Sequence, residues 1–152
     1  MHKLTKWGCT KINREILFKA KRKDNGEWVE GYYRADPDLN NHFICGWNYY
    51  LSENGLEREP FEYEINSGTL CQYTGLTDKN GDKIWENDIC DRKEKYPEIV
   101  TYNKGDWQLD YSYVFRKEMH TDVCNLGFYV CERKCVEVIG NIFDNSELLE
   151  VE

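Results

Sequence analysis

Apolar and aromatic residues recur in short runs, and the runs are separated by turn dipeptides: Asn25-Gly26, Asn54-Gly55, Ser67-Gly68, Asn80-Gly81 and Lys104-Gly105. Asn-Gly between such runs signals a hairpin, because the favoured two-residue turns need positive φ. The pattern predicts strands over 14–21, 27–34, 42–51, 81–85, 89–93, 98–103, 107–115, 126–132 and 136–143. Period-two alternation is clearest in Trp107, Leu109, Tyr111 and Tyr113. Helical periodicity is scarce. A turn or two of helix fits 115–122. The closing "DNSELLEVE" reads as a short capped helix, with Asn145 or Ser146 as N-cap and Leu148 and Leu149 turned to the body.

Closely spaced short strands without long helices predict an all-β, β-dominated fold. Five strands after Gly81 fit a small SH3-like barrel over 71–152. Residues 14–70 form an N-terminal β layer or meander packed on it. Residues 1–13 are a basic extension. No linker or internal repeat divides the chain, so 1–152 is read as one domain.

Composition agrees with a folded chain of this size. The 152 residues are 40% hydrophobic and 14% aromatic, enough for a core without staples. The longest uncharged stretch, 39–52, has 14 residues and is too short and too polar to span a bilayer. The start lacks the apolar run of a signal peptide, which places the protein in the cytoplasm of a bacterial host cell with no membrane role. Seven cysteines, an odd number without a C-x-x-C, read as reduced thiols. The net charge of −8 is uneven. Residues 1–23 carry +7, leaving −15 on the rest, so a basic arm meets an acidic body.

The segment "CQYTGLTDKNGDKIWENDIC" holds the densest candidate chemistry. An EF-hand register with Gly81 at its sixth position puts Leu76 first and Asn87 twelfth, so both essential ligands fail. Asp78, Asp82, Glu86 and Asp88 are better read as a hairpin and a bend, with Asn87 in left-handed backbone at the bend. His120, Cys124, Cys131 and Cys135 give H-x3-C-x6-C-x3-C, which matches no standard zinc spacing. His42, in an aromatic strand, reads as a half-buried structural residue. Nucleophile-elbow, zinc-protease, phosphate-loop and dinucleotide motifs are missing. No catalytic, cofactor-binding or metal residue is therefore assigned, and no cofactor is expected.

Three blocks resemble the YopX family of bacteriophage and prophage proteins. They are "REILFKA" at Arg14–Ala20, the Cys71–Cys90 segment, and "VEVIGNIFDNSELLE" at Val136–Glu150. Asn87 stands where the family usually has Gly, Ser146 stands for Pro, and 1–13 precede the family's usual start. The resemblance implies a β-rich, phage-encoded protein without an established catalytic activity.

The aromatic strands and this context favour a protein-interaction module whose partner is a host or phage protein, with homo-oligomerisation through open sheet edges as a further outlet. The alternative is binding of single-stranded or non-specific nucleic acid through the basic arm, which the acidic barrel region opposes. An enzyme with an unfamiliar site is the weaker alternative.

Overall fold

The computed structural model of the chain describes residues 14–115 and 124–151. The expected helical turns at 115–122, the basic extension and His120 fall wholly or mostly outside them. The described chain is β-dominated, with eleven strands in two antiparallel sheets. The first sheet has the order β4-β3-β2-β1-β5-β6. Its strands are β1 (Phe18–Lys21), β2 (Trp28–Asp36), β3 (Asn41–Ser52), β4 (Gly55–Glu64), β5 (Cys71–Thr77) and β6 (Lys83–Trp85). The second sheet has the order β10-β9-β8-β7-β11. It is built from β7 (Asp88–Asp91), β8 (Glu98–Asn103), β9 (Asp106–Asp110), β10 (Cys124–Asn125) and β11 (Glu137–Asn141).

Turn chemistry sets the registers. Lys104 and Gly105 take φ of 52° and 82° between the paired Asn103 and Asp106, which is the two-residue turn that follows strand twist. At the β3–β4 corner Ser52 pairs with Gly55, whose φ of 101° few other residues adopt. That hairpin is the longest among the described residues.

Three apolar clusters hold the sheets. Ile84, Cys90, Val100, Leu109, Leu126 and Val136 form the core of the C-terminal half. Ala20, Ile44 and Ile65 form a second core beneath the N-terminal strands, joined by Phe18, Val29, Tyr33 and Phe61. A single bridge between Arg22 and Ile65 brings the end of β4 back towards β1, so the first sheet curls around this cluster. Cys71, Tyr73 and Trp85 make the third cluster, covered by Leu17, Trp28 and Phe143.

Four expectations need correction. The C-terminal sheet is open, with β10 and β11 as its edges, so closure into an SH3-like barrel over 71–152 is not made among the described residues. The predicted strand at 126–132 is instead a helical turn with a π-helical stretch at Phe128–Glu132, and without that strand the ring has no closing partner. Asn125 starts this turn, its Oδ1 accepting the Phe128 N–H at 2.7 Å. The strand expected at 107–115 stops at Asp110 and gives way to a 3-10 turn at Ser112–Phe115. The closing helix shrinks to a 3-10 turn at Ser146–Leu149. The Asn145 side chain does not cap it but accepts the Asn141 N–H at 3.1 Å, while Leu148 and Leu149 are half-buried.

Candidate interaction surface

The acidic segment 71–90 is resolved by its hydrogen bonds. Asp78 is buried, and its Oδ1 accepts the N–H groups of Asn80 at 2.9 Å and Asp82 at 3.0 Å. Its Oδ2 accepts the Val138 N–H at 2.9 Å, pinning the turn to β11. Asp88, also buried, accepts the Trp85 N–H at 2.8 Å and faces the Lys19 ammonium at 3.8 Å. Burial raises Asp88 from 3.8 to about 6, against the pull of the Trp85 amide and Lys19. Asn87 has φ of 67°, the left-handed bend expected of it. Among the described residues no three His, Cys, Asp or Glu side chains gather as a metal site. The segment is a structural corner.

The cysteine constellation is likewise dispersed. Cys124 takes the Arg92 Nη2 at 3.3 Å, Cys131 is exposed on the π turn, and Cys135 sits beside the Tyr129 carbonyl. His42 is half-buried, stacked on Tyr33 and sharing a 2.6 Å hydrogen bond with its hydroxyl, a structural role. Four of the five cations in the described part of the basic arm are tied down too. Lys19 pairs with Asp88, Lys21 with Asp144, Arg22 with Asp24 and Lys23 with Glu64.

One polar feature escaped the sequence reading. Glu98 is buried and accepts Arg92 Nε–H at 2.5 Å, while its Oε2 has no hydrogen-bond partner among the described residues. Burial raises the Glu98 carboxyl. Arg92 lies over the Tyr129 ring at 4.2 Å and lines a cavity of about 270 Å³ with Lys95, Tyr96 and Tyr111. Its signal in the sequence is weak, since six residues separate the two partners across a loop.

The first sheet carries the larger feature. Cross-strand register puts Tyr33, Ile44 and Tyr63 in one row and Gly46 with Phe61 in another, all on the inner, curled side. A Cβ on Gly46 would meet the Phe61 ring at 2.8 Å, so glycine lets the ring lie flat under the strand. The outer side holds the alternate rows: Tyr32–Cys45–Glu62, Trp47–Pro60, Tyr49–Arg58 and Leu51–Leu56. Here Tyr32 is 59% exposed, Trp47 44%, Tyr49 62% and Leu51 84%. As far as the Gly46–Phe61 row both sides are thus apolar, whereas an antiparallel sheet with one wet face normally alternates apolar and polar residues; beyond it the inner rows, Asn48–Glu59 and Tyr50–Glu57, are polar and largely exposed. Arg58 stacks over Trp47 at 4.1 Å and Arg34 over Phe43 at 4.4 Å, while Arg34 also pairs with Glu62 at 2.9 Å. Between these rings lies a shallow depression of about 400 Å³, lined by Tyr32, Cys45, Trp47, Pro60 and Glu62. Such an arrangement offers contact area and arginine fringes, the make-up of a docking surface.

A crystal structure of protein EF1440 from Enterococcus faecalis is similar to this chain. It has a TM-score of 0.57 and 26% identity over 90% of this chain and 99% of that one. No curated protein matches. The family model described as YopX protein matches residues 17–150, nearly all of the described fold. The chain therefore belongs to the YopX family.

Proposed function

We propose that this protein is a non-enzymatic interaction module, a phage or prophage accessory protein that docks through the outer face of β2, β3 and β4. The observation that carries the reading is the row of exposed rings at Tyr32, Trp47 and Tyr49, on the face opposite the one that packs on the Ile44–Phe61 cluster. Rigid aromatic side chains on strands give contact area at small entropic cost, which suits recognition. The paired state of Lys19, Lys21, Arg22 and Lys23 leaves this part of the basic arm little charge to offer a phosphate backbone. The five-stranded C-terminal sheet serves in this reading as the support rather than the docking surface.

The test is a comparative pull-down from host lysate, with and without nuclease, using the wild-type chain and a Trp47→Ser/Tyr49→Ser variant. A protein that survives nuclease and disappears with the variant supports the reading. Capture of nucleic acid that both forms retain, lost in moderate salt, transfers function to the basic arm and defeats it.

A further inference from the structure

The bare outer face has a specific shape and charge. Its upper end is the hairpin tip, where Leu51 and Leu56 pair with each other and are 84% and 69% exposed. Its centre is the depression framed by Tyr32, Trp47 and Pro60. One apolar knob and one apolar hollow lie on the same face, four residues apart along β3 from Trp47 to Leu51. At a rise of about 3.4 Å per residue they are about 14 Å apart.

The charges of this face cancel. From the Arg34–Phe43–Glu64 row to the Leu51–Leu56 row it bears Arg34 and Arg58 against Glu62 and Glu64, and Glu30 on the same side of β2 is offset by Lys83 of β6 at 3.7 Å. The whole chain carries −8. Two such chains repel one another over most approaches, and this face is a route on which they do not. The β4 edge beside this face is a poorer route. β4 is the outermost strand, and Pro60 lies at its middle. A proline within an edge strand removes an outward N–H, which obstructs continuous pairing with another strand.

We infer that the face is covered by a second copy of this chain, related by a two-fold axis, with Leu51 and Leu56 of each copy seated in the Tyr32–Trp47–Pro60 hollow of the other. In such an isologous contact the knob-to-hollow pairing occurs twice. The inference rests on the interaction reading above, because it assigns the occupant of the same face.

Sedimentation velocity on the full chain, from micromolar to submillimolar protein, tests it. The expected result is a reversible dimer. Leu51→Glu/Leu56→Glu at the tip, or Trp47→Ser in the hollow, weakens it by about tenfold or more, as for loss of a central apolar anchor. Circular dichroism establishes that both variants are folded, since all three positions are exposed. Mixing the two variants restores one intact knob-and-hollow contact, so the mixture associates more tightly than either alone. Added salt screens the like-charged bodies and strengthens the wild-type dimer.

A monomer at every concentration overturns the inference. So does a dimer indifferent to both variants, or a mixture that shows no recovery. If the wild-type chain is monomeric but a lysate protein is still lost with the Trp47→Ser/Tyr49→Ser variant, the interaction reading stands and only the second copy falls. If those substitutions change neither, both fall.

Discussion

Two ends of one sheet face carry the same kinds of residue and meet opposite fates. At the β1–β5–β6 end of the outer face, Trp28, Tyr73 and Trp85 are covered by Phe143, and Asp144 takes the Trp28 Nε1–H at 2.7 Å. Lys19 lies over both indoles, 4.7 Å from Trp28 and 5.2 Å from Trp85, with Asp88 behind it. At the β3–β4 end, Tyr32, Trp47 and Tyr49 also carry a cation on a ring, but no segment of the described chain lies over them. The difference is one of cover rather than of residue type. Phe143 and Asp144 lie over one end of the face, and none of the described residues lies over the other.

Stability should therefore reside at the covered end. Trp85 is only 4% exposed and packs against Tyr73 with ring centroids 5.4 Å apart. Trp85→Ala removes a buried indole from the junction of the two sheets and should cost about 3–5 kcal/mol. That is a large part of the ~5–15 kcal/mol that holds a typical domain together. Urea denaturation measures it. A cost as small as that of an exposed residue would mean that the two sheets are not fastened here.

The comparison also shows where sequence reasoning reached and where it stopped. The β-dominated class and most strands followed from short aromatic runs between Gly-bearing turns, and Asn87 at its left-handed bend was legible from its chemistry. β4 was not among the predicted strands; Pro60 and the alternating charges Glu57, Arg58 and Glu59 weaken a strand pattern, although an edge strand tolerates both. β5 was masked by Gly75, whose φ of 84° interrupts its pattern. The run 126–132 is too short for periodicity to separate strand from helical turn. The aromatic surface was legible as composition only. Whether Trp28 is covered depends on a segment 116 residues away, and no local pattern carries that information.

The two carboxylates of the covered end give that comparison a pH dependence. Burial holds Asp88 at about 6, above its ordinary 3.8, so the folded state binds its proton more tightly than the unfolded state. Its contribution is full below about pH 4 and is lost as pH rises through about 6, a span of roughly 3 kcal/mol at 1.36 per unit. Asp144 behaves in the opposite sense. Hydrogen bonds from Lys21 and Trp28 hold it at about 2, so its contribution is present above about pH 4 and lost as pH falls through 2. Asp88→Asn should flatten the stability profile between pH 4 and 7, and Asp144→Asn should flatten it below pH 4. Denaturation across that range separates them. Should the Asp88→Asn profile keep its wild-type slope, another group governs the junction.

The smallest effect is expected at the bare end, and its smallness is informative. Trp47 is 44% exposed, and its clearest fixed contact is the Arg58 guanidinium at 4.1 Å. An exposed cation–π pair of this kind contributes about 0.5–1 kcal/mol. Trp47→Ala should therefore cost about 1 kcal/mol or less, and a double-mutant cycle with Arg58→Ala should return a coupling of about that size. Dilute protein is required, because association through this face would add its own concentration-dependent stability. A cost several times larger would show that Trp47 belongs to the fold, and the face would lose its claim to be a docking surface. A cost within the expected range leaves an indole on a strand where folding has little use for it, as the docking proposal requires.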